Sequence, residues 1–213
     1  YGICYGAKAN TDANGSYLLG NIPFAQYAKA DFDFSYTHLV DKKNSMVYHI
    51  GLGVGVPYLN STILPFEKRY YGGGANSVRG WSARSLGPGS YNAGTTIDYM
   101  KQSGDIKLDL NLEYRTKLVW LLELAAFIDA GNIWTLKDEG QAGGQFKFDK
   151  FYEQIALGYG IGIRLNFDYF VLRLDWGIKA FDPSRGDGER WRFVPGWNIL
   201  KDTALHFAVG YPF

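Results

Sequence analysis

The residues with most chemistry to offer sit in an irregular stretch. Residues 65–91 carry Arg69, Arg79 and Arg84 among Tyr70, Tyr71, Trp81 and Tyr91. The planar fork of arginine suits bidentate pairing with carboxylates, so the chemistry on offer is ion pairing. Elsewhere no Ser/His/Asp or Cys/His grouping stands out. His38, His49 and His206 are scattered and lack cysteine partners at metal-ligand spacing, so no zinc site is expected. A single cysteine, Cys4, excludes an internal disulfide framework and reads as a small buried residue. Asp31, Asp33, Asp105 and Asp109 interleave with Lys29 and Lys107 and read as solvated charges. No enzymatic activity, cofactor or metal is expected.

Something must position the arginine-rich stretch, because it cannot be a regular element itself. Six glycines and two prolines between residues 65 and 91 forbid a long helix or strand. It lies within an irregular segment running from Pro57 to about Gly104, and loops of that length are usually functional. The net charge of +1 makes no electrostatic case for a nucleic-acid partner. No apolar run reaches the roughly 18 residues of a membrane helix. Aromatics at 17%, 27 glycines, six Trp and sixteen Tyr point to an all-β protein with surface at lipid headgroups.

Period-2 alternation supplies about eight strands. The first covers residues 1–9, the second about 25–38 and the third about 45–56. The fourth, about 105–114, sets Ile106, Leu108, Leu110, Leu112 and Tyr114 against Asp105, Lys107, Asp109, Asn111 and Glu113. The fifth, about 119–131, opposes Leu122, Leu124 and Ile128 to Glu123, Phe127 and Asp129. A sixth spans about 152–166 and a seventh starts near Phe170. The last alternates Leu205, Phe207, Val209, Tyr211 and Phe213 with Ala204, His206, Ala208 and Gly210.

The connections alternate long and short, as the extracellular loops and periplasmic turns of outer-membrane barrels do. Strands of about 9–15 residues match a tilted bilayer crossing. The polar face then lines a wet lumen. A soluble barrel would reverse the faces, and periodicity alone does not separate the two; loop rhythm and aromatic content favour the membrane. With the short turns periplasmic, the long central loop is rooted at the outer surface.

Three motifs carry a family resemblance. Val78-Arg79-Gly80-Trp81, preceded by Gly72-Gly73-Gly74, resembles the Val-Arg-Gly-aromatic motif of the outer-membrane insertase superfamily, the bacterial surface antigen family of BamA- and TamA-type proteins. Phe127-Ile128-Asp129-Ala130-Gly131 is similar to its Phe-x-Asp-x-Gly strand motif, and the segment ending in Phe213 is similar to an outer-membrane sorting signal. The resemblance implies a single domain over residues 1–213, the carboxy-terminal half of a sixteen-stranded transmembrane β-barrel in the bacterial outer membrane. It also implies that the loop folds into the lumen and that Arg79 pairs with Asp129, whose parity points inward. Lumen-facing Gly51, Gly53, Gly55, Gly158, Gly160 and Gly162 are expected to make room for the loop. Phe207, Val209, Gly210, Tyr211 and Phe213 would form the terminal sorting and seam strand, although Ala208 and the penultimate Pro212 depart from the pattern.

The implied function is insertion of β-barrel proteins into the outer membrane, without nucleotide or cofactor. The implied partners are outer-membrane lipids, unfolded β-barrel clients and periplasmic or lipoprotein accessory subunits, with no nucleic acid. A two-partner-type secretion pore and a small eight-stranded structural or adhesive barrel are the alternatives. Gly51-Leu52-Gly53-Val54-Gly55 is no dinucleotide fingerprint, because no helix follows it.

Overall fold

The computed structural model describes residues 17–19, 22–94, 100–167, 169–192 and 199–213. The expected first strand, residues 1–9, lies outside the described residues. A small ribbon pairs β1 (Leu18–Leu19) with β2 (Ile22–Pro23). Seven strands follow: β3 (Tyr27–Leu39), β4 (Asn44–Pro57), β5 (Ile106–Lys117), β6 (Leu122–Trp134), β7 (Ala156–Asn166), β8 (Val171–Phe181) and β9 (Thr203–Val209). They form one antiparallel sheet in sequence order. Among the described residues this sheet is not closed, and β3 and β9 are its outer strands.

The two faces are reversed relative to a soluble sheet. On β4, Tyr48, Ile50, Leu52, Val54 and Val56 are exposed, whereas His49, Gly53 and Gly55 are buried. On β7, Tyr159, Ile161, Ile163 and Leu165 are exposed while Arg164 is fully buried. In water this arrangement would forfeit the hydrophobic contribution of every outward Leu, Ile and Val. Against lipid it is the arrangement required of a barrel wall.

The connection between β4 and β5 covers the buried face. Its roots are joined by Tyr70, whose backbone N–H and C=O bond Gly104 at 2.8 and 2.9 Å. Farther in, Gly72 bridges Leu86, and Val78, Trp81 and Leu86 bury against Ala156 at the start of β7. Tyr70 also reaches the wall, donating from its hydroxyl to Asp31 at 2.6 Å. Burial and that neighbouring carboxylate push the Tyr70 phenol well above its ordinary range.

Three expectations about strand limits change. Val119–Leu121 belong to a turn in which Trp120 takes a φ of 51°, so β6 starts at Leu122. Phe151–Gln154 form a 3-10 turn, because Phe151 packs on Trp134 and Gln154 accepts the Trp134 indole N–H at 2.8 Å. The last strand stops at Val209 and does not run to Phe213. Gly210 adopts a φ of 89°, where only glycine is unstrained, and residues 211–213 leave the sheet. Phe213 therefore turns to the buried side and does not share the lipid face with Leu205, Phe207 and Val209.

Candidate functional site

Strand alternation and register assemble the wall of the site. Asn111 lies opposite Asp129 and Glu113 opposite Phe127 across β5 and β6. Gly162 lies opposite Asp175 and Arg164 opposite Arg173 across β7 and β8. Because residues of one parity share a face, these side chains converge on the lumen side. Two arginines directly opposite each other repel. Asp175, 3.1 Å from Arg173 and 3.5 Å from Arg164, offsets that repulsion.

The loop adds the guanidinium around which this wall is arranged. Arg79 donates from Nε to Asp129 Oδ2 and from Nη2 to Asp129 Oδ1, both at 2.8 Å, and its backbone N–H donates to the same carboxylate at 3.0 Å. Nη1 donates to Glu113 Oε2 at 2.5 Å and lies 3.7 Å from Asp175. The Phe127 ring lies 3.5 Å from the guanidinium carbon, a cation–π contact inside a buried site. Arg79, Glu113, Asp129 and Asp175 are all fully buried. Burial alone would pull the Arg79 pKa down; the hydrogen-bonded Asp129 and the nearby Glu113 more than reverse this and hold the group charged.

Further hydrogen bonds and ion pairs fix these partners. Asn111 donates to Asp129 Oδ1 at 2.8 Å and to the Ser77 carbonyl at 2.9 Å, and Ser77 donates to Asp109 at 2.7 Å. Glu113 also receives Arg115 at 2.6 Å and lies 2.8 Å from Arg164. Arg173 donates to the Ala75 carbonyl at 2.9 Å and to Asn76. From β9, His206 donates through Nε2 to the Arg79 carbonyl at 3.0 Å. With Gly158 of β7 against Gly80, each wall strand from β5 to β9 touches the loop between Ala75 and Gly80.

Close backbone approach makes this seat possible. A Cβ on Gly177 would stand 1.9 Å from the Arg79 carbonyl oxygen, and one on Gly80 would stand 3.2 Å from that of Ile178. Gly73 and Gly74 take φ values of 83° and 103° where the loop reverses, and Gly72 lies against Leu86. The expected role of the wall glycines divides. Gly53, Gly55 and Gly158 face the loop, at Tyr70, Leu64 and Gly80 respectively. Gly51, Gly160 and Gly162 instead make room for the wall side chains of His49, Phe127 and Asp175.

The structure brings together Val78, Arg79, Gly80, Trp81, Phe127 and Asp129, with Gly131 packed on the Leu108 carbonyl next to Asp109. Phe213 joins them, 5.6 Å from Arg79. Phe207 and Val209 stay apart on the exposed face. Asp105 and Asp109, expected to be solvated, are buried: Arg69 lies 3.7 Å from Asp105, and Lys107 lies 2.6 Å from Asp109. Sequence reasoning missed Glu113, Arg164, Arg173, Asp175 and Gly177 as parts of the site. Their lumen parity was readable, but the register that sets them beside Arg79 was not. The resulting chemistry is a clamp, since every carboxylate around Arg79 is committed to a cation. Among the described residues no three His, Cys, Asp or Glu side chains are placed to hold a metal.

Comparison with known proteins bears on the family and the fold. The Omp85 superfamily domain matches residues 5–199. The outer membrane protein assembly factor BamA of Neisseria meningitidis serogroup B is 29% identical over 115 residues, 51% of this chain and 14% of that protein. BamA from Haemophilus ducreyi lacking POTRA domains 1–3 superposes with a TM-score of 0.61 at 15% identity, over 87% of this chain and 35% of that one. CdiB from Acinetobacter baumannii gives 0.50 at 19% identity, over 87% of this chain and 27% of that one. Both structural likenesses concern the fold alone. The chain spans about a third or less of each of these relatives. With the family match running from residue 5 to residue 199, the chain belongs to the Omp85 superfamily and is an all-β protein of the bacterial outer membrane whose open antiparallel sheet resembles part of a BamA barrel.

Proposed function

We propose that this chain is the carboxy-terminal part of the barrel of an outer-membrane assembly factor, inserting β-barrel proteins without nucleotide or cofactor. The observation that carries the reading is the seated loop. Val78 and Arg79 are fully buried and Trp81 is 3% exposed, so the lumen face of this wall is occupied by the protein's own chain. A wall filled in this way directs client chemistry to the strand edges, where unpaired N–H and C=O groups recruit an incoming strand. Identity with the Neisseria assembly factor supports the same reading. The loop motif would hold the wall in its working shape, and Phe207 and Val209 would face lipid beside the seam. Unfolded barrel proteins would be the clients, with outer-membrane lipids and periplasmic or lipoprotein subunits as further partners.

The test is reconstitution of the full-length protein in liposomes with an unfolded outer-membrane barrel protein as client. Insertion is read as heat-modifiable migration and protease resistance of the client. Faster insertion than into empty liposomes is expected. Passage of a soluble secreted protein into the liposome lumen, with no gain in client insertion, would establish a secretion pore instead.

A further inference from the structure

Residues 210–213 have contacts that neither a barrel strand nor a sorting signal requires. After Gly210, whose N–H donates to the Val171 carbonyl at 2.7 Å, the segment leaves β9 and crosses the buried face. Tyr211 donates from its hydroxyl to Glu123 on β6 at 3.2 Å and accepts from Asn166 Nδ2 at 3.2 Å. Its ring lies 4.3 Å from the Arg115 guanidinium of β5. Pro212 is buried. Phe213 stacks on His49 of β4, with centroids 4.7 Å apart and planes 5° from parallel. In four residues the segment thus touches β8, the end of β7, β6, β5 and β4.

Its far end is wired to the arginine clamp. The His49 ring is held by Asn111 Oδ1 at 2.8 Å and Asp33 Oδ2 at 3.0 Å. The same Asn111 side chain donates to Asp129, the main partner of Arg79. Phe213 also lies 5.6 Å from the Arg79 guanidinium. The near end is wired too, because His206 on β9 bonds the Arg79 carbonyl at 3.0 Å.

We propose that residues 210–213 form a strap that ties β9 to the arginine loop, with Phe213 on His49 as its clasp. Through this strap and His206, β9 and the loop hold each other in place. Displacing β9 from β8 pulls the clasp away, and unclasping Phe213 loosens the loop. Gly210 is the hinge, since its positive φ is what turns the chain off the strand.

The experiment uses the full-length protein in detergent micelles and follows amide hydrogen exchange in peptides covering residues 75–86. Phe213→Ala is expected to speed exchange there roughly tenfold, as loss of one half-buried aromatic pair implies. His49→Ala is expected to do the same, and the double variant no more than either single one. Leu205→Ala, on the lipid face of β9, leaves the loop unchanged. Unaltered loop exchange in an assembled Phe213→Ala protein overturns the proposal, and so does strict additivity of the two variants. If Phe213→Ala fails to assemble, the pair His49→Cys and Phe213→Cys in an otherwise cysteine-free protein decides. A short bis-maleimide cross-link within one chain supports the strap, and its absence in assembled protein refutes it.

Discussion

Replacing Arg79 with alanine tests the clamp most directly. The side chain supplies two hydrogen bonds to Asp129 and one to Glu113, all inside a fully buried site. Hydrogen bonds to charged groups contribute about 1.5–3 kcal/mol each, but the three do not simply add. Asp129 keeps Asn111 and the residue 79 backbone N–H, and Glu113 keeps Arg115 and Arg164. Removing one member of a buried ion pair costs about 3–5 kcal/mol, which is the expected loss of loop seating. At about 1.4 kcal/mol per decade, the opened loop becomes roughly a hundred to a few thousand times more populated. Hydrogen exchange in peptides covering residues 75–86 of the full-length protein reads that ratio, with β6 peptides as the control. Arg79→Lys is expected to fall between, because an ammonium cannot make the two parallel bonds to Asp129. The reasoning is refuted if the loop exchanges as in the parent protein. It is refuted equally if β6 and β7 open in step with the loop, which would make the clamp part of the barrel's global stability.

Three further outcomes follow from the same contacts. Gly177→Ala puts a methyl 1.9 Å from the Arg79 carbonyl oxygen, so loop exchange should rise while the sheet stays folded; Gly186→Ala, with open space around it, is the control. Phe127→Leu removes the ring beneath Arg79, and loss of a desolvated cation–π contact of about 2 kcal/mol should raise loop opening by roughly thirtyfold in the same measurement. The loop after β8 should weaken in acid through Asp182. Burial alone would raise this carboxyl, but Lys179 and Ser184 outweigh it and leave its pKa below the usual range. A depressed folded pKa stabilises at pH above the unfolded value of about 4 and loses that contribution as pH falls through the folded value. Exchange in residues 182–192, corrected for intrinsic rate, should therefore rise below about pH 4, and Asp182→Asn should abolish that rise.

Much of the wall was legible because lipid outside and water inside impose a strict period of two. Ile106 to Tyr114 announce β5, and the opposed Asp109, Asn111 and Glu113 announce the face that meets the loop. Asp129 could be assigned to that face by parity, whereas its pairing with Arg79 came from the resemblance of the two motifs to those of the family. Other features were hidden for physical reasons. Parity states which way Glu113 and Asp175 point, but only the hydrogen-bonded register sets them around one guanidinium. The departure of residues 211–213 was hidden as well. Tyr211 and Phe213 keep the alternation of Leu205, Phe207 and Val209, and only the left-handed φ of Gly210 breaks it.

The clamp is ionic for a reason that begins with the membrane. A loop with no regular structure needs something directional to set its position, and apolar contact is non-directional. A barrel wall has a further constraint, since its two faces must differ for the sheet to be oriented correctly in lipid. An apolar lumen face would erase the difference that sends Ile161 and Ile163 outward and Arg164 inward. Polar wall residues therefore come with the architecture, and burying them under a loop demands partners for each charge. Arg79 meets that demand for Asp129 and Glu113 together, and its fork also sets the angle at which the loop lies. Glycine at 177 and at 80 then brings backbone onto backbone where a side chain would hold the guanidinium away. On this argument Lys at position 79 would preserve charge balance and still lose the loop's orientation. Hydrogen exchange comparing Arg79→Lys with Arg79→Ala separates those two contributions.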